Sequence, residues 1–104
     1  MKRTKTQTLR ELINRKEILY RVGVAIALDA VMAEKVGFEA VSISGSNFAS
    51  QVLGLPDAGL VTMTEVMENA RRVANAVTIP VMMDCDTGFG NAINVRRTVR
   101  EAIL

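Results

Sequence analysis

A chain of 104 residues has room for one domain and not two. With 49% hydrophobic and 23% charged residues it should collapse into a core, and with four aromatics and no Trp that core must be aliphatic. A net charge of +2, with no basic run interleaved with aromatics, gives no footing for nucleic-acid binding, and no apolar run approaches the ~18 residues that span a bilayer.

In chain order, the basic start (Lys2, Arg3, Lys5) reads as a solvated tail. It is not the lead-in to an apolar secretory segment, because "TQTLRELINRKE" follows it. Thr8 and Glu11 match a capping box for a first helix whose apolar face is Leu9, Leu12 and Ile13. "EILYRVGVA" is the first predicted strand. A helix of small residues follows over 27–36, with Gly37 suited to its C′ position. "FEAVSIS" is the second strand, and the short helix "SNFASQVL" leads into the turn region "GLPDAGLV".

Thr62 and Glu65 form a second capping box, with Val61 and Val66 as its hydrophobic staple. The helix they open places Val66, Ala70, Val73, Ala74 and Val77 on one face. "VMMD" is the third strand. Asn91 caps a last helix on which Ala92, Val95, Val99 and Ala102 face one way, with Arg96 and Arg100 elsewhere.

Successive strand–helix units require parallel strands, since each return to the sheet runs through a helix. The strands lack polar–apolar alternation, as in a parallel sheet covered on both faces. Two architectures satisfy this: a small open doubly wound sheet, or part of a (β/α)₈ barrel. A whole barrel takes about 250 residues. A leading helix and three units fill this chain, so residues 1–104 read as the truncated N-terminal part of a single α/β TIM-barrel domain. Three open strands would leave the would-be barrel interior as an uncovered apolar surface, which favours assembly.

The chemistry concentrates in "VMMDCDTGFGN". On an extended strand Asp84 and Asp86 would share a side, ~6–7 Å apart, with Cys85 on the other. A divalent cation relieves the repulsion of two such carboxylates. Mg²⁺ needs only one or two carboxylates, and Mn²⁺ is the alternative. The competing reading is turn and cap chemistry, which Asp provides routinely beside glycines. "GFGNAI" has the first two glycines of a dinucleotide fingerprint but Ile93 at the third position, which excludes it.

Ser44, Gly45 and Ser46 follow the second strand at the same end of the sheet. They are either an anion-binding turn or an ordinary strand-to-helix turn. Asp57 beside Pro56 is either functional or an Asx-turn residue. Cys85, flanked by carboxylates, would be a poor nucleophile and is read as packing. As the lone cysteine it fits a reducing, cytoplasmic setting.

Taken together, "ISGS", "LGLPDAGLVTMTEV" and "DCDTGFGNAINVRRTVRE", in this order and spacing, resemble the isocitrate lyase / phosphoenolpyruvate mutase superfamily. The similarity leans towards its 2-methylisocitrate lyase and carboxyphosphonoenolpyruvate phosphonomutase branch. "LRELI" and "AEKVGFEAVSISG" extend it over almost the whole chain.

The resemblance implies a (β/α)₈ barrel, a Mg²⁺ ion held by Asp84 and Asp86, and a 2-oxo or 2-hydroxy carboxylate bound by Ser44, Gly45 and Ser46. It places Asp57 close to the reacting centre and implies a homo-oligomer acting on small molecules. It implies a carbon–carbon lyase working through a metal-stabilised enolate. The alternatives are phosphonomutase chemistry, or a non-catalytic fragment stable only on association. Ile26 stands where the family often has Asp, and Cys85 where it has Ala. The family's "K-K-C-G-H" acid–base loop would lie beyond Leu104.

Overall fold

The computed structural model describes residues 3–103; Lys2 of the predicted tail and Leu104 at the end of the last predicted helix lie outside the described residues. In chain order the elements are α1 (Lys5–Asn14), β1 (Arg21–Val24), α2 (Ala27–Val36), β2 (Ala40–Ile43), α3 (Gly45–Gln51), α4 (Met63–Ala76), β3 (Val81–Met83) and α5 (Ala92–Ile103).

Alternation along the strands decides which face is covered. Val22, Val41 and Val81 stand in register, as do Val24, Ile43 and Met83, in a parallel sheet of order β1-β2-β3. Both rows pack beneath α2 and α4, where Ala30, Ala33, Val73 and Val77 complete an aliphatic core. Ile43, Val41 and Val73 are its largest fully buried side chains. The intervening row, Gly23, Ser42 and Met82, faces the other way, with Arg21 and Ala40 paired one step earlier.

That second face is mixed: Gly23 and Ser42 are small, while Ala40 and the half-buried Met82 are apolar. Exposed apolar side chains include Leu28, Met32 and Val36 of α2, Val99 and Ile103 of α5, and Leu55 and Leu60 of the loop after α3. Among the described residues, no helix is long and apolar enough to cross a membrane.

Local chemistry explains the helix ends. The cap of α1 is Thr4, not Thr8: Thr4 accepts from Gln7 N at 3.2 Å, and the Gln7 side chain accepts from Thr4 N at 2.9 Å. The same S/T-x-x-E/Q pattern thus occurs one turn earlier, and Thr8 spends its hydroxyl on the Thr4 carbonyl at 3.1 Å. Lys5 is half-buried and not part of a free tail. Its ammonium donates to the carbonyls of Ala74 and, at 2.7 Å, Val77, where α4 ends. Desolvation there pulls its pKa below the usual lysine range.

Ile26 offers α2 no capping oxygen, and Asp29, three residues inside, compensates. Its Oδ2 accepts from Ala25 N at 3.1 Å and Ile26 N at 3.3 Å. Gly37 ends α2 at φ 114°, as its position implied. Thr62 and Glu65 form the predicted box on α4.

Candidate metal and carboxylate site

β3 ends at Met83, one residue before the first aspartate. Asp84 then turns the chain: its Oδ1 accepts from Asp86 N at 2.8 Å, and Asp86 sits at φ 46°, a left-handed conformation that Asp tolerates better than most residues. So the two carboxylates are not neighbours along an extended strand. A turn, not strand alternation, carries both to one glycine.

Their meeting point is Gly45, the first residue of α3. A Cβ built there would stand 3.2 Å from Asp84 Oδ2 and 3.7 Å from Asp86 Oδ1. Both carboxylates are exposed and hard, and among the described residues neither forms a salt bridge. A small cation with its own waters suits that donor set. Among the described residues, no three Asp, Glu, His or Cys side chains converge as a fuller ligand group.

Ser44 caps α3, its Oγ accepting from Asn47 N at 3.4 Å, which leaves the hydroxyl proton free to donate. Gly45 is half-buried beneath the aspartates, and Ser46 is exposed on the same turn. Asp57, exposed in the 54–61 loop, lines one small cavity with Gly45, Asp84 and Asp86, although it does not join the aspartate pair as a ligand group. The structure thus brings all six candidates to the C-terminal end of the sheet, with Asp57 and Ser46 at the margin.

Cys85 turns the other way, into a cavity with Thr98, Val99 and Ala102 of α5. Partial burial, and then the Asp84 and Asp86 carboxylates, push its thiol up, in keeping with a packing role. Gly88 permits this turn: at φ 96°, any Cβ there would run into Val95 Cγ2. Its carbonyl accepts from Thr98 Oγ1 at 2.7 Å, tying the loop to α5.

Two polar residues near the site lay outside the sequence reading. Asn69, buried on the apolar face of α4, donates Nδ2 to the Ala25 carbonyl at 2.7 Å and fixes the β1–α2 turn. Its signal was an amide three residues after Val66 on an otherwise aliphatic stripe. Asn47, in the first turn of α3, has its carboxamide nitrogen 3.3 Å from where a Gly23 Cβ would be. Nothing in the local pattern distinguishes it.

A phosphoenolpyruvate phosphomutase family model matches residues 9–104. The chain is 45% identical over 97 residues to isocitrate lyase from Haloferax volcanii, covering 93% of this chain and 28% of that protein. It superposes with TM-score 0.89 on phosphoenolpyruvate phosphomutase from Streptomyces platensis subsp. rosaceus, at 40% identity, covering 97% of this chain and 34% of that one. On phosphonopyruvate hydrolase in complex with oxalate and Mg²⁺ the TM-score is 0.87, at 35% identity, covering 97% and 35%.

Matched relatives also include 2-methylisocitrate lyase, 2,3-dimethylmalate lyase and oxaloacetate decarboxylase. The chain spans about a third of the length of the relatives it matches. Its three parallel strands, with the aspartate turn beyond the third, belong to the phosphoenolpyruvate mutase / isocitrate lyase superfamily, a family of lyases and mutases.

Proposed function

We propose that this chain forms the N-terminal part of a single (β/α)₈ barrel domain acting as a Mg²⁺-dependent carbon–carbon lyase on a 2-hydroxy di- or tricarboxylate, of the 2-methylisocitrate lyase type. The observation that supports this most is the meeting of the Asp84 and Asp86 carboxylates over Gly45.

Asp84 and Asp86 hold the cation directly or through water, and Mn²⁺ can replace Mg²⁺ there. The turn Ser44–Gly45–Ser46 grips the substrate carboxylate with its backbone N–H groups and the Ser44 hydroxyl. Asp57 closes the polar cluster beside the reacting centre. When bound, the cation supplies Lewis-acid stabilisation of enolate-like charge. The chain's own residues fix the substrate's orientation, so that charge develops at one end and the scissile bond faces the rest of the barrel.

Phosphonomutase chemistry on a pyruvate enolate is the second reading, favoured by the family model and the Streptomyces neighbour. A fragment stable only on association is the third, favoured by Val36 and Ile103, each 78% exposed. A cytoplasmic homo-oligomer with a small-molecule substrate, and without nucleic-acid or membrane partners, completes the proposal.

The test joins residues 1–104 to the remaining units of the Aeropyrum pernix 2-methylisocitrate lyase. Pyruvate release from 2-methylisocitrate should require Mg²⁺ and fall by about 100-fold or more in Asp84→Ala. Conversion of phosphonopyruvate without lyase activity would select the mutase. Equal turnover in Asp84→Ala would remove the cation role.

A further inference from the structure

Gly88, Phe89 and Gly90 follow one another at positive φ, 96°, 64° and 146°. Both glycines are required there. A Cβ at 88 would run into Val95 and one at 90 into the Asn94 side chain, so the segment lies directly on the first turn of α5. The residue between them is the outlier. Glycine adopts that conformation freely, whereas a bulky aromatic adopts it against steric resistance. Among the described residues only one other non-glycine, Asp86 of the same loop, has a positive φ. A side chain retained where glycine would relax the backbone has a use for its position.

The surroundings of Phe89 show what that use is. It is half-buried and lines the small cavity shared by Asp84, Asp86, Gly45 and the loop from Pro56 to Val61. That loop carries Asp57 and has few ties of its own. Among the described residues its hydrogen bonds run from Leu55 N to the Ala49 carbonyl and from Ala58 N to the Pro56 carbonyl, both at 2.9 Å. The Asp57 carboxylate makes none. Hydrogen bonding therefore leaves Asp57 loose, and packing decides where it stands.

We infer that Phe89 is a positioning residue, whose ring packs between the aspartate turn and the Pro56–Val61 loop and holds Asp57 beside the cation site. The inference rests on the reading of Asp57 as a group beside the reacting centre, and it deepens that reading. Phe89 acts through Asp57 and touches no reacting atom. Its own segment is tied down by the buried Thr98, whose Oγ1 donates to the Gly88 carbonyl at 2.7 Å. Every group in this arrangement belongs to the chain itself. A displacement of about 1 Å at a catalytic group is enough to lower a rate about 100-fold, so a loop with two hydrogen bonds needs such a support.

The chimera described above provides the test, through Phe89→Gly, Phe89→Leu, Asp57→Asn and the double variant Phe89→Gly/Asp57→Asn. The readouts are kcat and KM for 2-methylisocitrate, the dissociation constant of oxalate with Mg²⁺, Tm, and amide hydrogen exchange at Leu55 and Ala58. Phe89→Gly should lower kcat about 10- to 100-fold and speed exchange at both amides. Mg²⁺-dependent oxalate binding should persist, and Tm should change little because glycine relaxes the backbone. Phe89→Leu keeps an apolar side chain in the cavity and should recover part of kcat. The double variant should be no slower than Asp57→Asn alone, as two changes to one function.

Parent kcat in Phe89→Gly overturns the inference. So do additive losses in the double variant, or a fall in Tm and oxalate affinity in step with kcat, which marks general packing. A reduced kcat with unchanged exchange at Leu55 and Ala58 also overturns it, and leaves the Asp57 reading standing. Parent kcat in Asp57→Asn is the separate outcome that removes the Asp57 reading and this inference with it.

Discussion

Helices α4 and α5 follow the same design, yet α4 is built into the core and α5 packs only at its edge. Each opens on a polar cap, Thr62 with Glu65 or Asn91 with Asn94, and each carries an aliphatic stripe opposed by arginines. α4 buries Val66, Met67, Asn69 and Val73; α5 buries Thr98 among its described residues. Its predicted stripe is largely open: Val95 is half-buried, Ala92 is exposed, and Val99 keeps 52% of its surface. An amphipathic stripe declares a face that needs a partner. Whether the partner is present depends on the sheet: α4 lies over the core with α2 beside it, whereas α5 hangs beyond β3, the edge strand.

The sharpest way to break this comparison is to cut the same aliphatic chemistry from both places. Ile43→Ala, beneath the helices, should cost about 2–5 kcal/mol, and Val73→Ala on α4 about 2 kcal/mol. Val99→Ala on α5 should stay within about 0.5 kcal/mol. Urea unfolding midpoints at constant m-value measure all three. A loss for Val99→Ala equal to that of Val73→Ala would show α5 docked in solution.

The same contrast marks what the sequence could reveal. Each observed helix has a counterpart in the sequence reading; the Thr62–Glu65 box and Gly37 match because caps are local chemistry, while the first cap is Thr4 and not Thr8. The predicted strands are longer than the observed ones. "EILYRVGVA" pairs only from Arg21, where Ala40 offers a partner, and Glu17 to Tyr20 lie before that pairing begins. Strand length belongs to the neighbour, not to the segment. The aspartates are legible by type and position, but what brings them to one side is an Asx turn with a left-handed Asp86, not strand alternation. The reach of Asn47 depends on Gly23, which lies 24 positions earlier, and no local pattern encodes it.

A smaller effect separates how the two helices are anchored at their far ends. The exit of α4 is held by Lys5 at the Val77 carbonyl and by Glu34 of α2, whose carboxylate accepts from Thr78 Oγ1 at 2.7 Å, Thr78 N at 2.8 Å and Ile79 N at 3.1 Å. Those bonds, the Thr78 hydroxyl first, hold the Glu34 carboxyl below the usual range. A carboxylate lowered in the folded state contributes stability that is complete above its unfolded pKa of about 4.3 and is lost as pH falls through the lowered folded value. Glu34→Gln should therefore be less stable than the parent at neutral pH, with the gap closing on acidification. A gap that is constant with pH would assign Glu34 a packing role only.

The smallest global effect is expected from Asn91→Ala, and it tests the comparison most directly. Asn91 Oδ1 accepts from Ile93 N at 3.0 Å and Asn94 N at 3.2 Å, and Asn94 Oδ1 accepts in turn from Asn91 N at 3.1 Å, so α5 is capped as fully as α4. Removing such a cap costs a helix about 1 kcal/mol, and Thr62→Ala should lower the global midpoint by that amount because α4 unfolds with the core. A helix that unfolds on its own passes its loss to local opening instead. Asn91→Ala should thus speed amide hydrogen exchange at Val95 to Arg97 while leaving the urea midpoint where it was. If the midpoint drops as far as in Thr62→Ala, α5 belongs to the cooperative unit, and its open stripe has found a partner, for which a second molecule is the first place to look.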